Sequence, residues 1–293
     1  MAERKNTYRL PHIACEIASR GVAAARSEGK HRRVAATHTR ALPEGALTPV
    51  LNGENVQDAA ALSSAIEQAV TAVGGRGQEI IAVLPDSAMR VTLLDFDSLP
   101  ERKQEAEATI RFRMRKSLPF DVDKAAISFD VQPAKEGVRV TAAIILHTVL
   151  EEYESAFRAA GCSPGVVLPS SLAALGAVNE SHPTMLLKIG ADASPVAVVQ
   201  GDKLLLYRLL EGTGTVEPTA ERIAEDVYPS LVYFQDNYGE PVEKLLVSGV
   251  ADLDRMSATL EEQTGTSVRQ LIDSDIVTAS VRNEFAGAIG ALL

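Results

Sequence analysis

Two distant stretches of this chain open alike, and that recurrence restricts its architecture more than any single motif does. Ile13-Ala14-Cys15-Glu16-Ile17 reads as a buried strand and Gly21 to Ala25 as a second. Ser27-Glu28-Gly29-Lys30 supplies a turn, and Val34 to Thr37 returns as a third strand. In the second half Met185 to Ile189 is a strand, Gly190 to Ser194 a turn, and Val196 to Val199 a strand. A tight turn at Gly201-Asp202 then leads into Leu204 to Tyr207. One constant offset lays Glu16 on Lys188, Ile17 on Ile189 and Gly29 on Gly201. Three anchors are few, because apolar strands and turn glycines recur by chance. They agree with a duplicated α/β chain of two lobes, each opening with a β-hairpin whose turn could face a phosphate.

The rest of the pattern fits between these hairpins. Asp58 is placed to cap a helix running to about Val73, with Ala61, Leu62, Ala65, Ile66, Ala69 and Val70 on its buried face. Gly74-Gly75-Arg76-Gly77 stops it, and Glu79 to Pro85 is a short buried strand. From Val91 to about Ala160 the pattern changes to a compact α+β insertion. It has a strand at Val91 to Leu94, a helix from Pro100 to Ser117 broken by Leu118-Pro119-Phe120, strands at Ala126–Gln132 and Val138–Leu146, and a helix from Leu150 to Ala160. The last third predicts a helix at Ala220–Tyr238, a strand at Lys244–Ser248 and a helix at Leu253–Thr264. The division expected is 1–90 for the first lobe, 91–165 for the insertion and 166–293 for the second lobe, with a C-terminal helix returning to the first.

Composition narrows the function classes. Of 293 residues 46% are hydrophobic, enough for a sizeable core, but aromatics are 4% and Trp is absent, so stacking platforms for bases are scarce. The formal net charge of −10 argues against a chain whose task is to neutralise phosphate backbones. Cys15 and Cys162 stand apart in neither a disulfide framework nor a metal-ligand spacing, which points to a reducing compartment. The charged Met1-Ala2-Glu3-Arg4-Lys5 start is not a secretory signal, and no run approaches the roughly 18 apolar residues of a membrane span. Membrane association is therefore expected through a partner.

Several ordered stretches carry a family likeness. They are Ile81 to Ser87, then Leu99-Pro100-Glu101 and the helix into Arg115-Lys116-Ser117-Leu118-Pro119-Phe120-Asp121, then Ser128 to Val131. Gly161 to Val167 follows, leading through Ser171 to Ala177, and Val242 to Gly249 closes the series. This order resembles the PilM family of type IV pilus assembly and, nearly as well, the cytoplasmic domain of the type II secretion platform protein GspL. The resemblance implies an actin-like, RNase H-like two-lobed fold with an inserted α+β subdomain. It also implies a cytoplasmic scaffold, peripheral at the inner membrane, that holds the short cytoplasmic N-terminal tail of a PilN-like membrane protein. The implied groove lies between the first lobe and the insertion, and Leu118, Pro119 and Phe120 are expected either to shape it or to plug the core. Arg111 and Arg115, with Arg113 and Lys116, form a basic helix end that reads as a solvated end favoured by the helix dipole and, compatibly with that, as a docking surface for acidic groups on a partner or on anionic lipid.

The same resemblance locates a nucleotide site and shows it altered. The first turn reads Glu16-Ile17-Ala18-Ser19-Arg20-Gly21, with Glu for the family's Asp, Ala18 for its Gly, and Ala23 about where its Lys would stand. The second reads Lys188-Ile189-Gly190-Ala191-Asp192, a cation in place of an acid, and the third reads Ser248-Gly249-Val250 with one of two glycines. Magnesium takes oxygen ligands, which lysine cannot supply. The expectation is a pseudo-ATPase whose degenerate nucleotide site comprises Glu16, Ser19, Lys188, Gly190, Asp192, Ser248 and Gly249, with no metal and neither ATP nor magnesium as an obligate cofactor. Other chemistry has less support. His12, His31, His38, His147 and His182 show no ligand spacing, Leu168-Pro169-Ser170-Ser171 lacks the setting of a nucleophile elbow, and Gly74 to Gly77 follows a helix instead of opening one. The competing readings are an active ATP-binding enzyme or switch of the sugar-kinase and actin superfamily, and a filament-forming cytoskeletal protein.

Overall fold

The computed structural model of the protein describes residues 10–29, 33–75, 77–214, 216–272 and 285–293. Lys30 of the first predicted turn, His31, and Arg76 in the helix stop lie outside them. The chain opens as an antiparallel meander of β1 (Ile13–Ala18), β2 (Gly21–Glu28) and β3 (Arg33–Ala41). Helix α1 (Ala59–Ala72) follows, its first turn capped by the Asp58 carboxylate, which accepts the Ala61 N–H at 2.9 Å. Strand β4 (Glu79–Leu84) then lies parallel to β1.

The insertion comprises β5 (Arg90–Phe96), α2 (Lys103–Met114), β6 (Ala125–Pro133) and β7 (Val138–Leu146), with the strands in the order β5-β7-β6. Here the structure departs from the predicted boundaries. Arg102 offers no side-chain cap and the Pro100 segment stays outside the helix, so α2 is shorter at both ends than Pro100–Ser117. The next helix, α3 (His147–Ala159), starts earlier than Leu150, and the half-buried strand β8 (Ser163–Pro169) was not anticipated. Helix α3 packs on α1, and β8 pairs in parallel with β4, so both complete the first lobe. The division at 91–165 is therefore corrected: the insertion ends with β7, and a boundary at 165 would cut through β8.

Helix α4 (Ser170–Ala174) leads to the second lobe: β9 (Thr184–Lys188), β10 (Ala193–Gln200), β11 (Lys203–Glu211), α5 (Ala220–Tyr238), β12 (Lys244–Ser248), α6 (Asp254–Thr264) and β13 (Ser267–Gln270). The short helix α7 (Ala286–Gly290) lies against β1, β2 and α4. The two large sheets run β3-β2-β1-β4-β8 and β11-β10-β9-β12-β13, the same path through each lobe. The recurrence seen in the sequence is thus a recurrence of topology, with the insertion interrupting only the first copy, between β4 and α3.

Period-two alternation decides what faces what. In β1, Ile13, Cys15 and Ile17 pack under α1 and α3, while Ala14 turns to a core shared by both lobes. In β9, Met185 and Leu187 pack under α5 and α6, while Leu186 turns to the same shared core. Glu16 and Lys188 follow Ala14 and Leu186 on those inward faces. Side chains of the insertion also reach the second lobe. The Gln132 amide donates to the Leu204 carbonyl at 2.7 Å and accepts the Leu204 N–H at 3.1 Å, completing one rung of sheet-like pairing. The Arg139 guanidinium holds Asp95 through two bonds, donates to the Leu205 carbonyl at 3.0 Å and also bonds the Tyr238 hydroxyl.

Candidate functional site at the lobe interface

Where the first turns of the two lobes meet, a cavity of about 380 Å³ opens. It is lined by Glu16, Ser19 and Arg20 from the first lobe and by Lys188, Gly190, Asp192 and Gly249 from the second, among others. Six of the seven residues assigned to the nucleotide site from sequence thus surround one cleft. Ser248, the seventh, is wholly buried at the end of β12, and among the described residues its hydroxyl has no hydrogen-bond partner.

The floor of the cleft is an ion pair. The Glu16 carboxylate, 1% exposed, and the Lys188 ammonium, on a side chain 10% exposed, stand 3.2 Å apart. Glu16 has further donors: Oε1 accepts the Ser170 hydroxyl, and Oε2 accepts the Ala288 N–H of α7 at 2.7 Å. Residues at corresponding positions in the two lobes therefore neutralise each other across the joint. Gly287 allows this close approach, since a Cβ there would sit 3.0 Å from Glu16 Oε2 and 2.9 Å from the Ser170 carbonyl.

A second carboxylate, unassigned from the sequence, lies beside the first. Asp86 follows β4 and is buried. Its two oxygens accept the Ser171 N–H at 3.0 and 3.1 Å, and Oδ1 also accepts the Ser171 hydroxyl. The Tyr207 hydroxyl from β11 closes this network, 2.9 Å from Ser171 Oγ and 3.5 Å from Asp86 Oδ1. Burial holds the Asp86 carboxyl above the ordinary carboxylate range, against the opposing pull of Lys188 and Ser171. Burial, followed by the Asp86 charge, pushes the Tyr207 phenol well up. At the mouth, Arg20 donates to the Gly214 carbonyl of the second lobe. Sequence reasoning missed Asp86, Ser170, Ser171 and Tyr207. A Pro-Asp pair directly after a buried strand, and paired serines opening a helix, were the signals for them.

The glycines of the cleft have local causes. Gly249 adopts φ of +92°, and a Cβ would fall 1.9 Å from the Ile189 carbonyl, so no other residue fits there. At Gly190 a Cβ would lie 2.6 Å from the Ala193 carbonyl. At Gly190 the β9–β10 turn folds against its own backbone, and at Gly249 the segment after β12 presses on that turn.

The partner residues suggested by sequence lie elsewhere, on the insertion. Arg111 is bonded to Glu107 at 2.8 and 3.0 Å and to the Val122 carbonyl, and Arg115 pairs with Asp123 at 3.3 Å. Leu118 packs against the core of the insertion, Phe120 packs against both that core and the core of the first lobe, and Pro119 is exposed. Among the described residues no group of three or more His, Cys, Asp or Glu is placed to hold a metal ion, and no helix is long and apolar enough to cross a membrane.

No protein-family model matches the chain, and no curated protein matches it. Among solved structures it is similar to a chain of the PilM-PilN type IV pilus biogenesis complex, with a TM-score of 0.76 and 20% identity over 97% of this chain and 98% of that one. It is also similar to the cytoplasmic domain of EpsL, an inner membrane component of the type II secretion system of Vibrio cholerae, with a TM-score of 0.52 and 12% identity over 90% and 99% of the two chains. A Bacteroides thetaiotaomicron protein with an actin-like ATPase fold matches with a TM-score of 0.51 and 10% identity over 96% and 94%. These likenesses span both lobes and the insertion together, and what they establish is the fold: the chain is an actin-like, two-lobed α/β protein.

Proposed function

We propose that this protein is a cytoplasmic scaffold of a type IV pilus or related secretion platform, and that its interlobe cleft joins the lobes without acting as an ATPase site. The observation that carries the second part is the Glu16–Lys188 pair. A magnesium ion seeks hard oxygen ligands. At this position it would have to displace an ammonium group from a carboxylate already holding the Ser170 hydroxyl and the Ala288 N–H. The donor set at this position therefore does not suit magnesium. Asp86, which lines the cleft together with Asp192 and Glu217, is engaged by Ser171 and Tyr207.

Partner binding rests on the full-length likeness to a chain of the PilM-PilN complex. The partner in this reading is the short cytoplasmic tail of a PilN-like inner-membrane protein. It lies extended between the first lobe and the insertion, where Phe120 joins their cores. Arg111 and Arg115 border that region but are occupied by Glu107 and Asp123, so apolar contacts supply most of the affinity. Titration calorimetry with a synthetic tail peptide and, separately, with magnesium and ATP tests both parts. Peptide binding with no nucleotide heat is expected. A nucleotide at 100 times its dissociation constant would stabilise the chain by about 2.7 kcal/mol, and a magnesium-dependent shift of that size would overturn the account of the cleft.

A further inference from the structure

Two helices present aromatic side chains to solvent, on different outer faces of the molecule. On α2, Phe112 is 76% exposed. Exposed Arg115 and Lys116 stand one helical turn further on, with Arg113 beside them. On α5, Tyr228 is 58% and Tyr233 55% exposed, and Val232 is 38% exposed. The solvent stripe of that helix reads Glu221, Glu225, Tyr228, Val232, Asp236, apolar at its centre and acidic at both ends. Among the described residues Arg113, Lys116, Glu221, Glu225 and Asp236 have no ion-pair partner.

The fold keeps these surfaces apart. In β7, Val140, Ala142 and Ile144 pack under α2, whereas Arg139 points the other way, to Leu205 and Tyr238 of the second lobe. Helix α2 therefore lies on the face of the insertion turned away from the second lobe. Helix α5 covers the face of the second sheet opposite to the shared core. The basic aromatic patch cannot reach the acidic one within a single molecule.

We infer that the two patches bind each other between copies of the chain, the end of α2 of one molecule seating on the α5 stripe of the next. The charges are complementary, and Phe112, Tyr228 and Tyr233 are the side chains best suited to anchor an interface. Two different surfaces make the contact heterologous, so it propagates head to tail unless the rotation closes a ring. A membrane surface rich in anionic lipid is the other candidate for the α2 patch, but it leaves the acidic aromatic stripe of α5 without a role.

Sedimentation velocity on the full chain, over a range of concentrations and at low and molar salt, tests the inference. Concentration-dependent association that weakens with salt is expected. Phe112→Ser should weaken it on the order of tenfold or more. Arg113→Glu with Lys116→Glu, or Glu225→Lys with Asp236→Lys, should each abolish it, and mixing the two charge-reversed proteins should restore it. All these side chains are exposed, so circular dichroism should show each variant folded. A chain monomeric under every condition, or association that survives both reversals, would overturn the inference. Flotation with phosphatidylglycerol vesicles separates the lipid alternative: binding lost with Phe112→Ser while the chain stays monomeric would count against self-association.

Discussion

Lys188 and Glu16 are neutral only as a pair. Each is almost wholly enclosed, and removing one leaves the other as an uncompensated charge in a poorly solvated place. Lys188→Ala should therefore destabilise the protein by about 3–5 kcal/mol, read as a fall in the urea midpoint at constant slope. The joint change Glu16→Gln with Lys188→Met should cost much less than the single one, because neither charge is then stranded. Asp86 makes a different prediction. The folded chain holds its proton more tightly than the unfolded chain, whose ordinary value is 3.8, because burial disfavours the anion. Stability due to this group is fully present below that value and is lost as the pH rises through the higher folded one. Asp86→Asn should remove that decline, visible as a flatter dependence of the urea midpoint on pH across the window. A decline of unchanged steepness in the variant would show that the carboxyl is not held protonated. Gly249→Ala should cost on the order of 1–3 kcal/mol from backbone conformation alone, with the clash at the Ile189 carbonyl in addition.

The insertion bonds the second lobe through side chains of β6 and β7, while β5 lies against β11. Gln132 is buried and supplies both bonds to the Leu204 backbone. Gln132→Ala would leave that N–H and carbonyl unpaired in a closed interface, at about 1–3 kcal/mol for each buried group left unsatisfied. Hydrogen exchange should report the change locally, with the Leu204 amide losing protection while β9 and β12 keep theirs. Legibility in the sequence also divides by element. Helix α5 and strand β12 have the predicted boundaries because local signals mark them: the Thr219 hydroxyl caps the helix start and Gly239 ends it in the left-handed region. Strand β8 was obscured by Pro164, Gly165 and Pro169, residues that usually break strands, and is held in place by parallel pairing to β4. Strand β13, Ser267-Val268-Arg269-Gln270, carries one buried apolar side chain and exists through pairing to β12. The equivalence of Glu16 and Lys188 was legible as an offset. Their salt bridge was not, because it depends on how the two lobes face each other, which no local pattern encodes. Asp86 was hidden for the same reason: its partners Ser171 and Tyr207 come from α4 and the second lobe.

At the scale of the molecule, the question is whether the lobes are separate bodies around a hinge or one body. The core between them favours the second. It takes Ala14, Ile81 and Val83 from the first sheet, Leu186, Ala197 and Leu246 from the second, and Phe285, Ile289 and Leu292 from the C-terminal segment, all buried. Helix α7 is also tied to the cleft floor, because the Ala288 N–H bonds the carboxylate that neutralises Lys188. The last few residues of the chain thus lock hydrophobic and charged parts of the same joint. Ile289→Ala removes buried methyl groups from that shared core, so a loss of about 2–5 kcal/mol is expected. If the lobes fold as one unit, the loss should appear as a shift of a single urea transition, coincident by far-ultraviolet circular dichroism and by tyrosine fluorescence. If they are separate bodies, Ile289→Ala should split the curve into two transitions, because each lobe keeps its own core beneath α1 and α3 or beneath α5 and α6. A single shifted transition would describe a scaffold held closed by its interior, consistent with a cleft floor where Glu16 and Lys188 satisfy each other. A split curve would mean that the joint can open, and nucleotide binding to the opened form would then have to be measured directly.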